Sequence, residues 1–518
     1  MLRRTVLTVG VCLLAAVAAA QTEERLTLGE ATTRALAKNR AIRIERDQVS
    51  AAAARSRSAA GVYDAQLRID LTGRHHRDPI NSLLSGAPTG RAAASENSFG
   101  SSVTISQLFR TGAVASASTS VAREGTDAIF SPFTPAYTSS LGVDLQQPLL
   151  RNRAIDSART SILVTALDRD RSSATLTSQV LTTVADVETA YWTLVAARRE
   201  LEVRRGSLAL AEQQRADTQV RIEARTVAVS DLAQPTAEVE RRRGDVFAAS
   251  EAVQRAERAL KLLIVDDLDD ALWAAPLAPV DRPDAIPQAP DLARSLADAA
   301  RERPEIAELR AQVSQQDLQV RLVRDGLKPR LDLVANYTIR GMAGDIETSG
   351  YPFGNMPLSV PSSLSGGFGN SWRTLFDRTF PDAVVGFTFE MPIGGREAKG
   401  RVDAAEANRR SASTRLSQLQ DRIAAEVLNA VTAIETAAGR IDAARAGLAA
   451  AQTQLQAEQD RFAAGLSTNF FVLTRQNDLA LAQLAEIAAL TDYRKAQTEL
   501  ARASGSLLRD RSIRVERQ

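Results

Sequence analysis

An internal duplication constrains the fold of this chain more than any other feature of its sequence. The segment NRAIRIERDQVSAA, which starts at Asn39, aligns with RPEIAELRAQVSQQ, which starts at Arg303. The same order of segments then follows in both halves: a helix, a strand, a loop, a strand, a long helix, a break and a shorter helix. The sequence therefore predicts two structural repeats, residues 21–264 and 291–508. A Pro-rich linker of residues 265–290 joins them, and residues 509–518 form a C-terminal tail.

Alanine and charged residues dominate the helical segments, and the apolar positions recur with helical spacing. The pattern predicts first helices over 28–62 and 291–327 and long helices over 155–225 and 398–464. Shorter helices follow the two long ones. With a rise of about 1.5 Å per residue, each long helix extends for about 100 Å. Two short helices stacked end to end match one long helix, which predicts an antiparallel bundle.

Four other segments alternate apolar and polar residues with the period of a β-strand. They are AQLRIDL from Ala65, GVDLQQP from Gly142, PRLDLVANYTI from Pro329 and VVGFTFEMP from Val384. This alternation fits half-buried strands of a soluble protein, and it also fits strands of a water-filled membrane barrel. The repetition of the strands and the export signal described below favour the barrel.

The first half contains an additional candidate hairpin, Ser98–Ala122, with a turn at Arg110-Thr111-Gly112. Two interpretations remain open. The hairpin either extends a surface loop or adds two strands to the expected count of about four per chain. The corresponding stretch of the second half, GGFGNSW, has the composition of a loop.

The N-terminus has the features of a secretory signal in residues 1–20. Arg3 and Arg4 precede the apolar run Val6–Val17, and cleavage after Ala20 would follow three small residues. The only cysteine, Cys12, lies in that apolar run. The mature chain is therefore expected to contain no thiol, no disulfide and no cysteine metal site.

Composition and motifs argue against several classes of function. Lys+Arg total 64 and Asp+Glu total 62, so the chain lacks the basic surface that nucleic-acid binding requires. The only two histidines, His75 and His76, are interpreted as surface residues because a metal site needs more converging ligands. No phosphate-binding loop or catalytic set of residues is recognisable. We therefore expect neither an enzyme nor a cofactor.

Taken in this order, the segments resemble the TolC family of outer-membrane efflux proteins. The resemblance rests on the duplication, on the strand-to-helix junctions LQQPLLRN and FEMPIGGR, and on RFAAG followed by FVLTRQ. It implies an α+β membrane protein that forms a homotrimer. Its strands would build a shared twelve-stranded β-barrel in the outer membrane, and its long helices a periplasmic α-barrel.

The resemblance also implies partners and a role. A periplasmic adaptor (membrane fusion protein) and an inner-membrane pump would deliver small molecules or peptides to this exit duct, in a tripartite efflux pump or a type I secretion system. One requirement follows from hydrogen bonding alone. Four strands cannot close on themselves in lipid, so the barrel needs more than one copy of the chain. The alternative function is a periplasmic coiled-coil scaffold or adaptor without a membrane barrel.

Each long helix ends at a break that the resemblance places at the periplasmic tip of the channel. The breaks are RIEARTVAVSD from Arg221 and RFAAGLSTNFF from Arg461. Gly465 permits the left-handed backbone that ends a helix, whereas Arg225 occupies the equivalent position of the first break. Arg221, Arg225 and Arg461 are candidates to contact either Asp231 or an adaptor hairpin, although charges on a solvated helix face would have the same pattern.

The family resemblance further implies a ring of acidic residues at the tip. Asp231 matches one such position, whereas Phe471 and Thr474 occupy the two positions where aspartate is expected in the second half. A ring of Phe471, with Phe470 beside it, would form an apolar constriction that gates by dewetting. Alternatively, both phenylalanines pack the start of the last helix against its neighbour.

Overall fold

The structure is a computed structural model that describes residues 23–80, 86–284, 286–346 and 360–515. The predicted signal segment and Cys12 lie outside the described residues. The chain divides into two compact units. The described residues of the helical unit lie within Met1–Gln48, Ser173–Ala307 and Ser417–Gln518, and those of the sheet unit lie within Val49–Ser172 and Glu308–Leu416.

Helices account for most of the described chain, and the two longest have 67 and 68 residues. In chain order they are α1 Leu28–Lys38, α2 Arg40–Ala60, α3 Ser157–Glu223, α4 Ala233–Ile264, α5 Ala271–Ala274, α6 Leu292–Glu302, α7 Pro304–Asp325, α8 Phe368–Phe376, α9 Arg396–Ala463, α10 Asn469–Ala503 and α11 Leu507–Asp510. The two long helices that the sequence predicts are thus confirmed within a few residues. Among the described residues, every helix is either too short or too polar to cross a bilayer.

The strands form a two-stranded and a six-stranded sheet. They are β1 Glu24–Leu26, β2 Gln66–Pro79, β3 Ala93–Leu108, β4 Val114–Thr126, β5 Phe133–Pro148, β6 Leu277–Pro279, β7 Arg330–Ile346 and β8 Phe380–Glu390. In the larger sheet the order is β2-β3-β4-β5-β7-β8, and every neighbouring pair is antiparallel.

The expected count of about four strands per chain is wrong, because the large sheet has six. The candidate hairpin forms β3 and β4, and its turn contains Gly112 at a φ of +83°. This hairpin does not extend a surface loop, since β3 pairs with β2 along its length and β4 pairs with β5. The hairpin occupies the middle of the sheet rather than its margin.

Each of the two predicted first helices is interrupted once. The breaks fall at Asn39 and at Arg303, which the sequence alignment pairs, and both residues have extended backbone with ψ of 124° and 118°. Asn39 accepts hydrogen bonds from the backbone N–H groups of Ala41 and Ile42, which caps α2. Pro304 is the first residue of α7. A backbone N–H at this position would have no partner within the helix, so proline loses no hydrogen bond there.

The linker of residues 265–290 packs into the core of the helical unit. Its strand β6 pairs in parallel with β1. The hydroxyl of buried Tyr191 donates to the carboxylate of Asp281 at 2.7 Å, and the backbone N–H of Leu28 donates to the same carboxylate. The Lys261 ammonium donates to the carbonyls of Trp273 and Ala275 at 2.9 and 2.6 Å. These bonds attach the middle of the linker to the helices.

The C-terminal tail is attached to the same unit by a buried charge. Glu188 on α3 is fully buried, and the Arg511 guanidinium donates to both of its carboxylate oxygens at 2.6 and 3.0 Å. The Thr498 hydroxyl of α10 donates to the same carboxylate. The hydrogen bond to Glu188 raises the pKa of Arg511.

Candidate functional site

The two breaks at the ends of the long helices form the same hydrogen-bonded turn. In the first, the N–H of Thr226 donates to the Arg221 carbonyl and the N–H of Arg225 donates to the Ile222 carbonyl. In the second, the N–H of Leu466 donates to the Arg461 carbonyl, and that of Gly465 to the Phe462 carbonyl. This bond pair is the Schellman motif, which requires a left-handed residue just after the helix. Arg225 and Gly465 supply it, with φ of +55° and +76°.

The two turns lie side by side in the helical unit. The Arg221 guanidinium carbon lies 4.2 Å from the centroid of the Phe462 ring, which is a cation–π contact between α3 and α9. Arg461 approaches Glu458 of its own helix at 3.8 Å. Within the described residues, Asp231 makes no ion pair with the arginines of these turns, and its side chain is exposed. The structure therefore brings Arg221 to the second turn but not to Asp231.

Phe470 and Phe471 begin α10 and remain largely exposed in the chain, at 55% and 50%. Their rings meet edge to face at 5.5 Å. The next two residues, Val472 and Leu473, are instead the buried apolar pair that packs α10. Thr474 is half-buried, and its hydroxyl donates to the Phe470 carbonyl at 2.8 Å.

Asn469 connects the start of α10 to α3. Its carboxamide oxygen accepts from Gln214 Nε2 at 2.6 Å, and its Nδ2 donates to the Thr218 hydroxyl at 3.1 Å. Both partners lie in the last turns of α3. This pair of bonds fixes the position of the adjacent phenylalanines relative to the first turn.

A buried arginine provides the second attachment of α10, and sequence reasoning did not identify it. Arg242 of α4 is 2% exposed. Its guanidinium donates to the Ser207 carbonyl of α3 at 2.7 Å and to the Leu473 carbonyl of α10 at 3.2 Å. It also donates to Gln476 Oε1 at 3.2 Å and to Glu238 at 2.7 Å. One side chain therefore joins three helices directly behind the exposed phenylalanines.

The sequence contains a signal for this arginine. The run Arg241-Arg242-Arg243 places its middle member three residues after buried Val239, on the stripe that continues through Ala249. Burial would raise the pKa of Glu238, but hydrogen bonds from Arg241 and Arg242 outweigh it and lower the pKa below its ordinary value.

The six-stranded sheet of the other unit has one apolar and one polar face. Antiparallel partners share a face, and the register aligns the apolar members across all six strands. Most of these side chains are exposed in the chain: Leu67, Ile69, Leu71, Phe99, Ile105, Leu141, Val143, Leu145, Tyr337, Val385, Phe387 and Phe389. The opposite face carries serine, threonine, asparagine and charged residues.

The histidines lie in β2 near its end, and His75 Nδ1 is 2.7 Å from Asn97 Oδ1 of the neighbouring strand. In the part of the chain that the structure describes, no cluster of His, Cys, Asp and Glu side chains is arranged to bind a metal ion.

Comparisons with known proteins agree on one architecture. Residues 296–506 match the family model described as outer membrane efflux protein. No curated protein matches the chain by sequence. The structure is similar to that of the CmeC outer membrane channel of Campylobacter jejuni, with a TM-score of 0.66 and 16% identity over 93% of this chain and 86% of that one.

Two further structures have comparable similarity. A membrane protein from Pseudomonas aeruginosa has a TM-score of 0.63 and 20% identity, over 92% of this chain and 93% of its own. The MtrE outer membrane channel of Neisseria gonorrhoeae has a TM-score of 0.61 and 17% identity, over 93% of this chain and 89% of its own. The TM-scores of these three structures show a common fold. The matched family consists of transport proteins, in agreement with the prediction that the chain is not an enzyme. The resemblance to the TolC family is thus confirmed: residues 296–506 form an outer membrane efflux protein domain, in a chain with the fold of outer-membrane efflux channels.

Proposed function

We propose that this chain is the outer-membrane exit duct of a tripartite efflux pump or a type I secretion system and works as a homotrimer. The cargo is small molecules or peptides that pass from the periplasm to the outside. A periplasmic adaptor and an inner-membrane pump supply the energy and select the cargo.

The observation that carries this proposal is the amphipathic six-stranded sheet. Its apolar face exposes large side chains on β2, β3, β5, β7 and β8, for example Leu71 at 69% and Val385 at 75%. Soluble monomers rarely expose an apolar patch of this extent. A membrane barrel requires this arrangement, with the apolar face toward lipid and the polar face toward a water-filled lumen.

The strand order also supports assembly from several copies. Strands β2 and β8 are the outermost strands of the sheet. Because lipid offers no hydrogen bonds to backbone groups, both outer edges need partners inside the membrane. In an antiparallel sheet with six strands, the first and the last strand run in opposite directions. Strand β8 of one chain is therefore able to pair antiparallel with β2 of the next chain.

We infer that three copies form a barrel of eighteen strands rather than twelve, since each contributes six. With strands about 4.8 Å apart and tilted by about 40°, the backbone diameter is about 36 Å instead of about 24 Å. The hairpin formed by β3 and β4 lies between β2 and β5, so it cannot leave the barrel without dividing the sheet. A wider exit is the consequence.

We propose that the helical unit lies in the periplasm and that its two turns form the channel tip. Phe470 and Phe471 are exposed and can line an apolar constriction. Asp231 is also exposed and can attract cations. Arg221, Arg225 and Arg461 remain candidates for adaptor contact, although Arg221 already contacts Phe462. The shared Schellman turn and the aligned breaks at Asn39 and Arg303 support a duplicated origin for residues 21–264 and 291–508.

Cysteine pairs across the proposed junction provide the test. Leu71→Cys on β2 and Val385→Cys on β8 place thiols on the apolar face of the two outermost strands, and Ile69→Cys and Phe387→Cys sample the neighbouring register. The only natural cysteine, Cys12, lies in the predicted signal. Oxidation of outer membranes should link two and then three chains covalently in a double variant, and each single variant should remain monomeric after heating.

The outcome discriminates between the duct and a scaffold. Recovery of the protein from the periplasm without detergent, with no crosslink at any sampled register, would overturn the proposal. A ladder that extends beyond three chains would contradict the trimer while leaving the shared barrel intact.

A further inference from the structure

Helix α8 lies on the apolar face of the six-stranded sheet. The Ser139 hydroxyl of β5 donates to the Ser371 carbonyl at 2.9 Å. The Thr374 hydroxyl accepts from the Met342 N–H at 3.0 Å and donates to the Met342 carbonyl at 3.1 Å. Ser139 shares its face with Leu141 and Val143, so these contacts place the helix on the face that the proposed function assigns to lipid.

The packing of α8 depends on a glycine in β7. A Cβ atom at Gly341 would lie 1.8 Å from the Ser371 carbonyl oxygen and 2.7 Å from Leu375 Cβ. Ser371 and Leu375 are both fully buried, as is Ala343 beside them on β7. The close approach shows that α8 is an integral layer of the sheet unit, because its inner side has no space for a larger side chain.

The outer side of α8 carries a row of aromatic rings. Phe368, Trp372 and Phe376 are one helical turn apart, with ring centroids 6.4 and 5.8 Å apart. The row continues onto the sheet through Tyr137 of β5, whose ring meets that of Phe368 edge to face at 6.4 Å. Phe376 is 67% exposed and Phe368 is 45% exposed.

This concentration of aromatics is unusual for the chain. Aromatic residues make up 4% of the whole sequence but three of the nine residues in α8. The buried side of the helix already packs with Leu375, so the exposed row contributes nothing to that contact. Aromatic rings on the outside of a membrane barrel collect at the membrane–water interface, where an apolar body and a polar edge are both accommodated.

The position of α8 along the strands identifies one interface. The helix touches β5 near its start at Phe133 and β7 near its end at Ile346. The opposite ends of these strands, Pro148 and Arg330, connect to α3 and α7. If the helices are periplasmic, the aromatic row lies at the outer leaflet.

We propose that α8 is an interfacial membrane anchor whose aromatic row lies among the headgroups and upper acyl chains of the outer leaflet, outside the barrel wall. This inference rests on the proposed function, because it requires the apolar sheet face to contact lipid. The lipid is favoured as the occupant because the row is continuous through Tyr137 with the apolar face of the sheet. An aromatic row covered by a neighbouring chain or by a soluble partner would not contact lipid.

Tryptophan quenching by brominated lipids tests the proposal in the complete protein. Trp372 is one of three tryptophans, and Trp192 and Trp273 lie in the helical unit. The protein is reconstituted in phosphatidylcholine brominated either near the headgroup or near the chain ends. Bromines near the headgroup should quench a component of the emission that Trp372→Phe removes, and bromines near the chain ends should quench it less.

A reporter on the sheet separates failure of the anchor from failure of the duct. Phe387→Trp in the Trp372→Phe background places a single new indole on the apolar face of β8. Quenching of this reporter without quenching of Trp372 would overturn the anchor and leave the duct intact. If neither indole is quenched, the lipid-facing assignment of the sheet fails, and the anchor fails with it.

A glycine pair controls for indirect effects. Gly341→Ala introduces a Cβ into the Ser371 contact and should displace α8, reducing the quenching of Trp372 without removing the indole. Gly386→Ala is the matched control on β8, because a Cβ there meets no atom within 4 Å. If Trp372 is quenched to the wild-type level in both variants, the inferred packing of α8 against Gly341 is contradicted. The proposed depth of the aromatic row is then contradicted as well.

Discussion

Two adjacent arginines of α4 provide a matched test of what fixes the proposed tip. Arg241 and Arg242 both donate to Glu238, at 2.5 and 2.7 Å. The Arg241 side chain is 51% exposed, whereas that of Arg242 is 2% exposed and also bonds to α3 and α10. The change is Arg242→Met, which retains most of the side-chain volume and removes the donors.

The expected loss of stability follows from the hydrogen bonds that are removed. Arg242→Met deletes the bonds from the guanidinium to the Ser207 and Leu473 carbonyls. A hydrogen bond to a charged group contributes about 1.5–3 kcal/mol, so these two bonds contribute about 3–6 kcal/mol together. Glu238 keeps Arg241 as a partner, so no isolated carboxylate adds to the loss. Arg241→Met breaks an exposed pair worth about 0.2–1 kcal/mol.

Amide hydrogen exchange in detergent measures this difference locally. Where exchange reports the opening equilibrium, a loss of about 3–6 kcal/mol raises the exchange rate in α4 and at the start of α10 by about a hundredfold to about ten-thousandfold. Arg241→Met should raise it by no more than about fivefold. Equal exchange rates in the two variants would refute the reasoning, because they would show that the buried bonds to α3 and α10 do not stabilise the tip.

Three further predictions concern the two turns and the acid response of α4. Arg225 and Gly465 both have left-handed backbone, which glycine adopts more easily than other residues. Arg225→Gly should therefore raise the free energy of unfolding by about 1 kcal/mol and Gly465→Ala should lower it by about as much, with the thermal midpoint moving in the same directions. Changes of the same sign in the two variants would contradict the shared turn. Phe471→Asp should strengthen block of the reconstituted channel by multivalent cations, and unchanged block would count against a phenylalanine constriction. The pKa of Glu238 lies below its ordinary value of 4.5, so its stabilising contribution is complete above pH 4.5 and is lost as the pH falls through the folded-state pKa. Glu238→Gln should remove this acid-induced fall in the thermal midpoint, and an unaltered fall would assign it to other groups.

Periodicity predicted the long helices well, because a run of more than sixty residues gives many repeats of the same apolar spacing. The alignment of the two halves located both helix breaks, where Gly465 and its partner Arg225 have the same left-handed backbone. The breaks at Asn39 and Arg303 were missed, since one extended residue hardly disturbs a helical pattern. Strand alternation identified the apolar face but could not decide where the hairpin pairs, because pairing depends on distant segments.

Helix α8 shows where local preference fails. The sequence GGFGNSW is rich in residues that favour loops, yet Phe368–Phe376 is helical. Contacts with the sheet override the weak propensity, through the Thr374 bonds to β7 and the space left by Gly341. The position of Arg242 on the buried stripe is visible in the sequence, but its hydrogen-bond partners are not, because they lie on α3 and α10 and are distant in sequence.

The strand order has a consequence for the sequence of events during assembly. Strands β2 to β5 succeed one another along the chain and can pair through short connections, whereas the next junction joins β5 to β7. Gln146 and Asp332, bonded across that junction, are 186 residues apart. Closing a flexible segment of that length costs about 4–5 kcal/mol in chain entropy, and prior formation of the intervening helices shortens the distance to be closed. The helical part should therefore fold before the sheet is complete, which delays formation of the continuous exposed apolar face.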